Sequence, residues 1–168
     1  YAVPMSFSTC VLFYNKDLFD QAGVAYPTDE WTWADAQAAA EKIKALGDDI
    51  WGYYQPITYN EFYKSIKGNG GSVLSEDYSQ FTMNTPENVA VLEAMIARVR
   101  GENHVMPTKE ELAGRGDWDL FTEGKLGMII TGIWGFPTFA EKCTFDWDIV
   151  VEPGYKTPST FFFANVNC

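Results

Sequence analysis

The chain has 168 residues, 46% of them hydrophobic, and a formal net charge of −11. That length suits one domain able to bury about 70% of its unfolded surface, and the apolar share excludes a disordered chain. With 12 basic against 23 acidic residues and no basic stripe, nucleic acid and anionic membrane surfaces are poor partners.

In chain order, an extended "YAVPMSF" leads to a short buried strand over 10–14, "CVLFY". "NKDLFDQAG" (15–23) predicts a helix with Asn15 as N-cap, Leu18, Phe19 and Ala22 on one face, and Gly23 as the stop. Thr32 caps a helix over 33–46, with Asp35 completing a capping-box variant and Ala36, Ala39, Ala40, Ile43 and Leu46 on one face. "IWGYY" (50–54) reads as a strand, and Thr58 with Glu61 caps a short helix over 58–68. The stretch 69–84 reads as a hairpin or loop. Thr85 and Pro86 open the clearest helix, 85–101, with Val89, Leu92, Met95, Ile96 and Val99 at a 3.6 period. Short helical turns follow in "TKEELAG" and in "GDWDLFTEGK", which ends at Gly124. A strand over 126–131, a helix from "FPTFAEK" and a strand over 145–154 complete the pattern. Strands alternating with helices predict an α/β layer with parallel strands.

Several chemistries have little to work with. The cysteines, Cys10, Cys143 and Cys168, are odd in number and have apolar or aromatic neighbours, which reads as buried thiols rather than a metal site. The one histidine, His104, sits in a loop-like stretch, so neither a His-based zinc site nor a Ser–His pair is supported. No phosphate loop, nucleophile elbow, CxxC or HExxH occurs. No cofactor is implied. There is no membrane-length apolar run and no secretory leader. Asp117 and Asp119 flank Trp118, and Asp146 and Asp148 flank Trp147. Paired carboxylates suit a glycosidase, but this spacing points them apart on a helix and exposes them on a strand, so capping or solvated charge is the plainer reading.

The aromatic residues, 16% of the chain, carry more information. Tyr59, Phe62 and Tyr63 stand in a short capped helix beside Asn60, and Trp134 follows a strand between Gly132 and Gly135. Ligands bind open α/β sheets outside the carboxyl ends of the strands. These rings either fill the core or wait for a flat ligand such as a sugar, and the residues alone leave both readings open. If they wait for a ligand, the glycines let the chain turn sharply and hold the indole of Trp134 out over a cleft.

Several stretches, in order, resemble a known family. "YAVPMSFSTCVLFYNKDLFDQAG" is similar to the hinge-and-helix signature of the extracellular solute-binding proteins of ABC sugar importers, the maltose-binding-protein type. "PTDEWTWADAQAAAEKI", "MNTPENVAVLEAM", "FTEGKLGMIITGIWGFP" and "FDWDIVVEPG" resemble further segments of that family. Gly127 stands where the family usually has Ala, and Trp31 precedes the expected Thr-Trp pair. The resemblance implies a periplasmic-binding-protein-like α/β lobe: a central, mostly parallel sheet flanked by helices. The whole chain, 1–168, would be the second of two lobes, with hinge-strand remnants at about 1–9 and 160–168, which accounts for termini that look like cuts.

The function implied is non-catalytic capture of a mono- or oligosaccharide in an interlobe cleft, by aromatic stacking and hydrogen bonds. Relatives also take glycerol phosphates or polyamines. Carried over, Trp134 matches the family's sugar-stacking Trp. Tyr59, Asn60 and Tyr63 fall near further contacts, and Ser8 on a polar hinge position. The implied partners are the sugar and, for the full-length protein, ABC permease membrane subunits. The implied state is a monomer, extracytoplasmic in the periplasm or lipid-anchored at the cell surface. A carbohydrate-active enzyme domain and a non-catalytic interaction module are the alternatives.

Overall fold

The structure is a computed structural model describing residues 3–102, 104–155 and 162–167, with side chains over 8–155 apart from 103. Cys168 and the outermost parts of the expected hinge remnants, at 1–2, 160–161 and 168, lie outside the described residues.

The chain enters on a long strand, β1 (Val3–Asn15), and turns at once into α1 (Lys16–Ala22). Asn15 makes that turn by accepting the Leu18 amide at 3.1 Å, and Gly23 closes the helix in the left-handed region at φ 62°. Thr32 and Asp35 form the expected capping box at the start of α2 (Trp33–Lys44). The helix stops at Ala45, which leaves the expected core residue Leu46 exposed. β2 (Trp51–Tyr54) follows, then α3 (Tyr59–Gly68), capped by Thr58. The expected hairpin or loop at 69–84 is a small hairpin closed by a bridge between Leu74 and Phe81.

α4 (Pro86–Arg100) forms where the sequence predicts, but Thr85 makes no side-chain cap bond and the buried face is rotated. Asn88, Val91, Met95 and Arg98 face inward, while Val89 and Ile96 are exposed. Two polar residues turn the helix: Asn88 bonds the Ser72 and Thr82 carbonyls, and Arg98 bonds the buried Gln55. α5 (Lys109–Leu112), α6 (Asp117–Thr122), β3 (Leu126–Gly132), a 3₁₀ turn (Ile133–Gly135), α7 (Phe136–Lys142), β4 (Trp147–Val150) and β5 (Phe162–Asn167) complete the described chain. β4 is shorter than the expected strand over 145–154.

The α/β reading with a helix-flanked central sheet holds, but the mostly parallel sheet does not. The order is β2-β3-β1-β4, with β5 on β1. β1 is antiparallel to β3, β4 and β5, and among the described strands only β2 and β3 are parallel neighbours. Between β1 and β2 the reason is the pair of helices that intervenes. One crossover helix returns the chain in parallel, whereas α1 and α2 together reverse it twice, so β2 runs against β1. Alternation in the sequence shows that helix lies between strands, not how many helices pack there.

β1 works in two halves. Leu12–Tyr14 pair with both β3 and β4, while Val3–Thr9, among the described strands, pair with β5. The inner half alternates faces: Leu12 and Tyr14 pack with α1, α2, Met128 and Ile130, and Phe13 packs with Ile129, Phe121 and Phe139 on the other side. A smaller cluster of Ile66, Val91 and Met95 joins α3 to α4.

Two glycines set the distance between α2 and the sheet. A methyl at Gly52 would lie 2.5 Å from the Ala40 Cβ and carbonyl oxygen, and one at Gly127 would lie 2.8 Å from the Gly52 oxygen and the Ile43 Cδ1. The departure at Gly127 therefore has a local cause: here an alanine has no room. Gly52→Ala should destabilise the fold by ~1–3 kcal/mol, read as a lower urea midpoint, because the obstruction includes backbone. An unchanged midpoint would show that α2 is free to move away.

Candidate functional site

β2 and β3 are parallel, with Trp51 opposite Leu126 and Tyr54 opposite Ile129, so the segments leaving them emerge at one edge of the sheet. β4 pairs antiparallel with β1, as β3 does, so its exit lies at that edge too. This is where open α/β sheets hold ligands.

Trp134 stands there, in the 3₁₀ turn after β3, and is 50% exposed. Gly132 and Gly135 have φ of −76° and −71°, which any residue adopts, so they are not needed for a sharp turn. They supply room instead. A methyl at Gly132 would sit 2.0 Å from the indole Cζ3, and one at Gly135 3.1 Å from the Phe139 ring. The indole lies across Gly132 with half its surface in solvent.

Tyr59 opens α3 after β2 and is 61% exposed. Its ring stacks on the half-buried Tyr63, centroids 6.1 Å apart and planes at 17°. Asn60, beside it, is exposed. Ser8 is half-buried on β1, two residues before Cys10, which pairs with Gly132 at the end of β3. The sheet register sets Ser8 beyond the end of β3, on the side where Trp134 follows, while Tyr59, Asn60 and Tyr63 lie on α3, the helix that follows β2.

Beneath the edge is a buried charged frame that sequence reasoning missed. Lys64 of α3 bonds Glu61 at 2.7 Å and also Glu152, which follows β4. Glu61 accepts from the Gln55 amide at 2.8 Å, and Gln55 accepts from Arg98 at 3.0 Å. The Arg98 guanidinium lies 4.4 Å over the Trp33 ring and donates to the Tyr155 hydroxyl at 3.4 Å. Burial alone pushes the Lys64 ammonium down, but Glu152 and Glu61 outweigh it and hold its pKa above the ordinary lysine value. Only the Glu61–Lys64 spacing of i, i+3 is visible in sequence; Glu152 lies 88 residues away.

The thiols are poor nucleophiles. Burial and then Glu152 push Cys10 up to about 11, and burial pushes Cys143 to about 11. No cluster able to hold a metal occurs among the described residues. His104 bonds Glu111 at 3.2 Å in its loop. Of the paired aspartates, Asp119 caps α6 by accepting the Gly116 amide at 2.9 Å, and Asp148 accepts the neighbouring Ile149 amide at 2.8 Å. Burial raises the pKa of Asp117. Two more exposed rings, Tyr78 and Phe81, at 79% and 81%, project from the 69–84 hairpin. Nothing in their sequence neighbours sets them apart from core aromatics. A separate groove of about 700 Å³ runs between α2 and α4, floored by Ala34, Ala94 and Ala97 and walled by Trp33 and Arg98.

An α/β fold with exposed aromatic rings beyond its strand ends, over a buried charged frame, suits a binding protein. The chain belongs to the bacterial extracellular solute-binding protein family, whose model matches residues 1–163. Among solved structures, it is 46% identical to an ABC substrate-binding protein of Listeria monocytogenes in complex with cycloalternan, covering 99% of this chain and 42% of that one, with a TM-score of 0.91. A cyclic α-maltosyl-1,6-maltose binding protein of Arthrobacter globiformis shares the fold at 23% identity, covering 98% of this chain and 42% of that one, with a TM-score of 0.73. A Brucella abortus (strain 2308) protein named only as a binding protein is 31% identical over 138 residues, 78% of this chain. The chain spans 32% of that relative's length. No helix among the described residues is long and apolar enough to cross a membrane.

Removing Lys64 tests the frame. Lys64→Met leaves Glu61 and Glu152 buried without their shared cation and should cost ~3–5 kcal/mol in urea unfolding at neutral pH. Because the folded pKa of Lys64 is raised, its contribution is present at neutral pH and lost as pH rises through that value, above the ordinary lysine range. The wild type should therefore lose stability in strong alkali, and Lys64→Met should not show that component. Equal alkaline losses in the two proteins would contradict the assignment.

Proposed function

We propose that this chain is the second lobe of a two-lobe solute-binding protein that delivers a carbohydrate to an ABC importer. The observation that carries the reading is the placement of Tyr59 and Trp134, both exposed, at the exits of adjacent parallel strands. Aromatic faces match the C–H faces of a sugar ring, and Asn60 and Ser8 at the same edge offer hydrogen bonds to hydroxyls. The similarity to a Listeria structure holding cycloalternan supports the same ligand class.

In this reading the opposite lobe closes over the edge and buries the shelf. Among the described strands the outer half of β1 pairs only with β5, and this two-stranded extension leaving the sheet beside Trp134 is the hinge between lobes. Closure with sugar bound favours the form that docks on the permease. The protein catalyses nothing and needs no cofactor: its residues bind, orient and release. It acts as a monomer outside the cytoplasm, in the periplasm or lipid-anchored at the surface. Tyr59, Asn60, Tyr63, Trp134 and Ser8 are its ligand contacts from this lobe.

Titration of neutral saccharides into the full-length protein by calorimetry tests the reading. Trp134→Ala should weaken the bound sugar by about 10- to 100-fold, the value of one large apolar face covered by ligand. Gly132→Ala should reproduce much of that loss, because the new methyl displaces the indole. A Trp134→Ala protein that binds as tightly as wild type would remove the stacking role.

A further inference from the structure

The aromatic shelf does not end at the sheet edge. Tyr59, Tyr63 and Lys67 fall at i, i+4 and i+8 on α3, so they share one face that runs about 12 Å away from the edge. The Lys67 ammonium lies 5.9 Å over the Tyr63 ring. Beyond Tyr63 opens a groove of about 480 Å³, walled by α3 on one side and the 69–84 hairpin on the other; Tyr63, Lys67, Ser72, Ser75, Glu76 and Tyr78 line it.

The hairpin wall is built, not loose. The Asn88 amide, buried on α4, donates to the Ser72 and Thr82 carbonyls at 2.9 Å each. Asp77 accepts from the Ser75 hydroxyl at 2.6 Å, the Ser79 amide at 3.1 Å and the Ser79 hydroxyl at 2.8 Å. These bonds hold Tyr78 at φ 59°, a left-handed conformation that disfavours any residue with a Cβ. A glycine would relieve that strain. A tyrosine there presents a ring that is 79% exposed.

We propose that this groove is a second saccharide subsite, continuous with the Tyr59–Tyr63 shelf, which takes the outer units of an oligosaccharide longer than the edge alone can hold. The inference rests on the sugar-binding reading above. The groove offers what a neutral sugar ring needs: flat rings in Tyr63 and Tyr78, and the hydroxyl of Ser72. Lys67 and Glu76 oppose each other in charge, so the lining does not select an anion. A wall fixed in advance also lowers the ordering cost of binding.

The test uses the full-length protein and linear α-glucans from maltose to maltoheptaose, titrated by calorimetry. Tyr78→Gly removes the ring and suits the left-handed backbone, so the hairpin should keep its shape. It should weaken the longest glucans about tenfold and leave maltose unchanged, abolishing the gain of affinity with length. Trp134→Ala should weaken every length alike. Tyr78→Phe should keep the length dependence. If Tyr78→Gly binds every length as wild type does while Trp134→Ala fails, the subsite is wrong and the sugar reading stands. If Tyr78→Gly leaves all sugar affinities intact but lowers permease-coupled ATP hydrolysis, the hairpin is a protein-docking face and the subsite is overturned. If the wild type binds none of the glucans the subsite falls, and if it binds no neutral sugar on a glycan array the reading beneath it falls as well.

Discussion

One buried ammonium fixes the site. Lys64 sits between Glu61 of its own helix and Glu152, which arrives from the exit of β4. Removing these charges from water costs several kcal/mol per ion, and their attraction offsets that only when the geometry and the remaining bonds are complete. Here the bonds continue: Glu61 to Gln55 at the exit of β2, and Gln55 to Arg98 of α4. A slide of α3 by one residue would break the chain and part Lys64 from Glu152. The outer face of α3 is therefore set from its inner face. Tyr63 precedes Lys64 directly and Tyr59 lies one turn earlier, so the two rings stack where the ion pairs hold them. Such a frame gives position rather than stability, which is what a site needs from its support.

Missing side chains do comparable work nearby. Gly52 and Gly127 let α2 lie close against β2 and β3, which tightens the edge from behind. Gly132 leaves space in which the Trp134 indole lies flat. These glycines sit in ordinary backbone, so their role is close approach rather than an unusual φ. Tyr78, the one aromatic residue at positive φ among the described residues, is the converse: side-chain bonds from Asp77, Ser75 and Ser79 oblige a residue with a Cβ to adopt the conformation a glycine would prefer.

How much of this was legible depends on how local the signal is. Caps are local, and Asn15, Thr32 and Thr58 formed as their neighbours dictated. Thr85 occupies its cap position without the side-chain bond, with Pro86 already suited to the first turn. Strand positions were local too, but their directions were not, because β1 meets partners more than 100 residues away. The buried face of α4 departs from its hydrophobic period, because the period counts apolar residues while Asn88 and Arg98 follow partners that only the fold supplies. Glu152 gave no sign beforehand, since its cation is 88 residues distant. Trp134 and Tyr59 could be singled out from their places after strands. Tyr78 and Phe81 could not, because an exposed ring and a buried one look alike when the surrounding chain is polar and glycine-rich.

Aromatic residues raised two readings at the outset, core packing and ligand stacking, and the fold separates buried rings from exposed ones. Phe13, Phe121 and Phe139 meet edge-on or tilted inside the sheet–helix layer and are fully buried. Tyr59, Trp134 and Tyr78 are exposed, and each stands on a support that something buried makes rigid: the Lys64 frame, the Gly132 seat and the Asn88 clamp. Water gains nothing from a ring held still. A ligand does, because less side-chain ordering remains to be lost when it binds. In the proposed reading, the mounting of these rings, more than their exposure alone, separates a waiting surface from incidental apolar area.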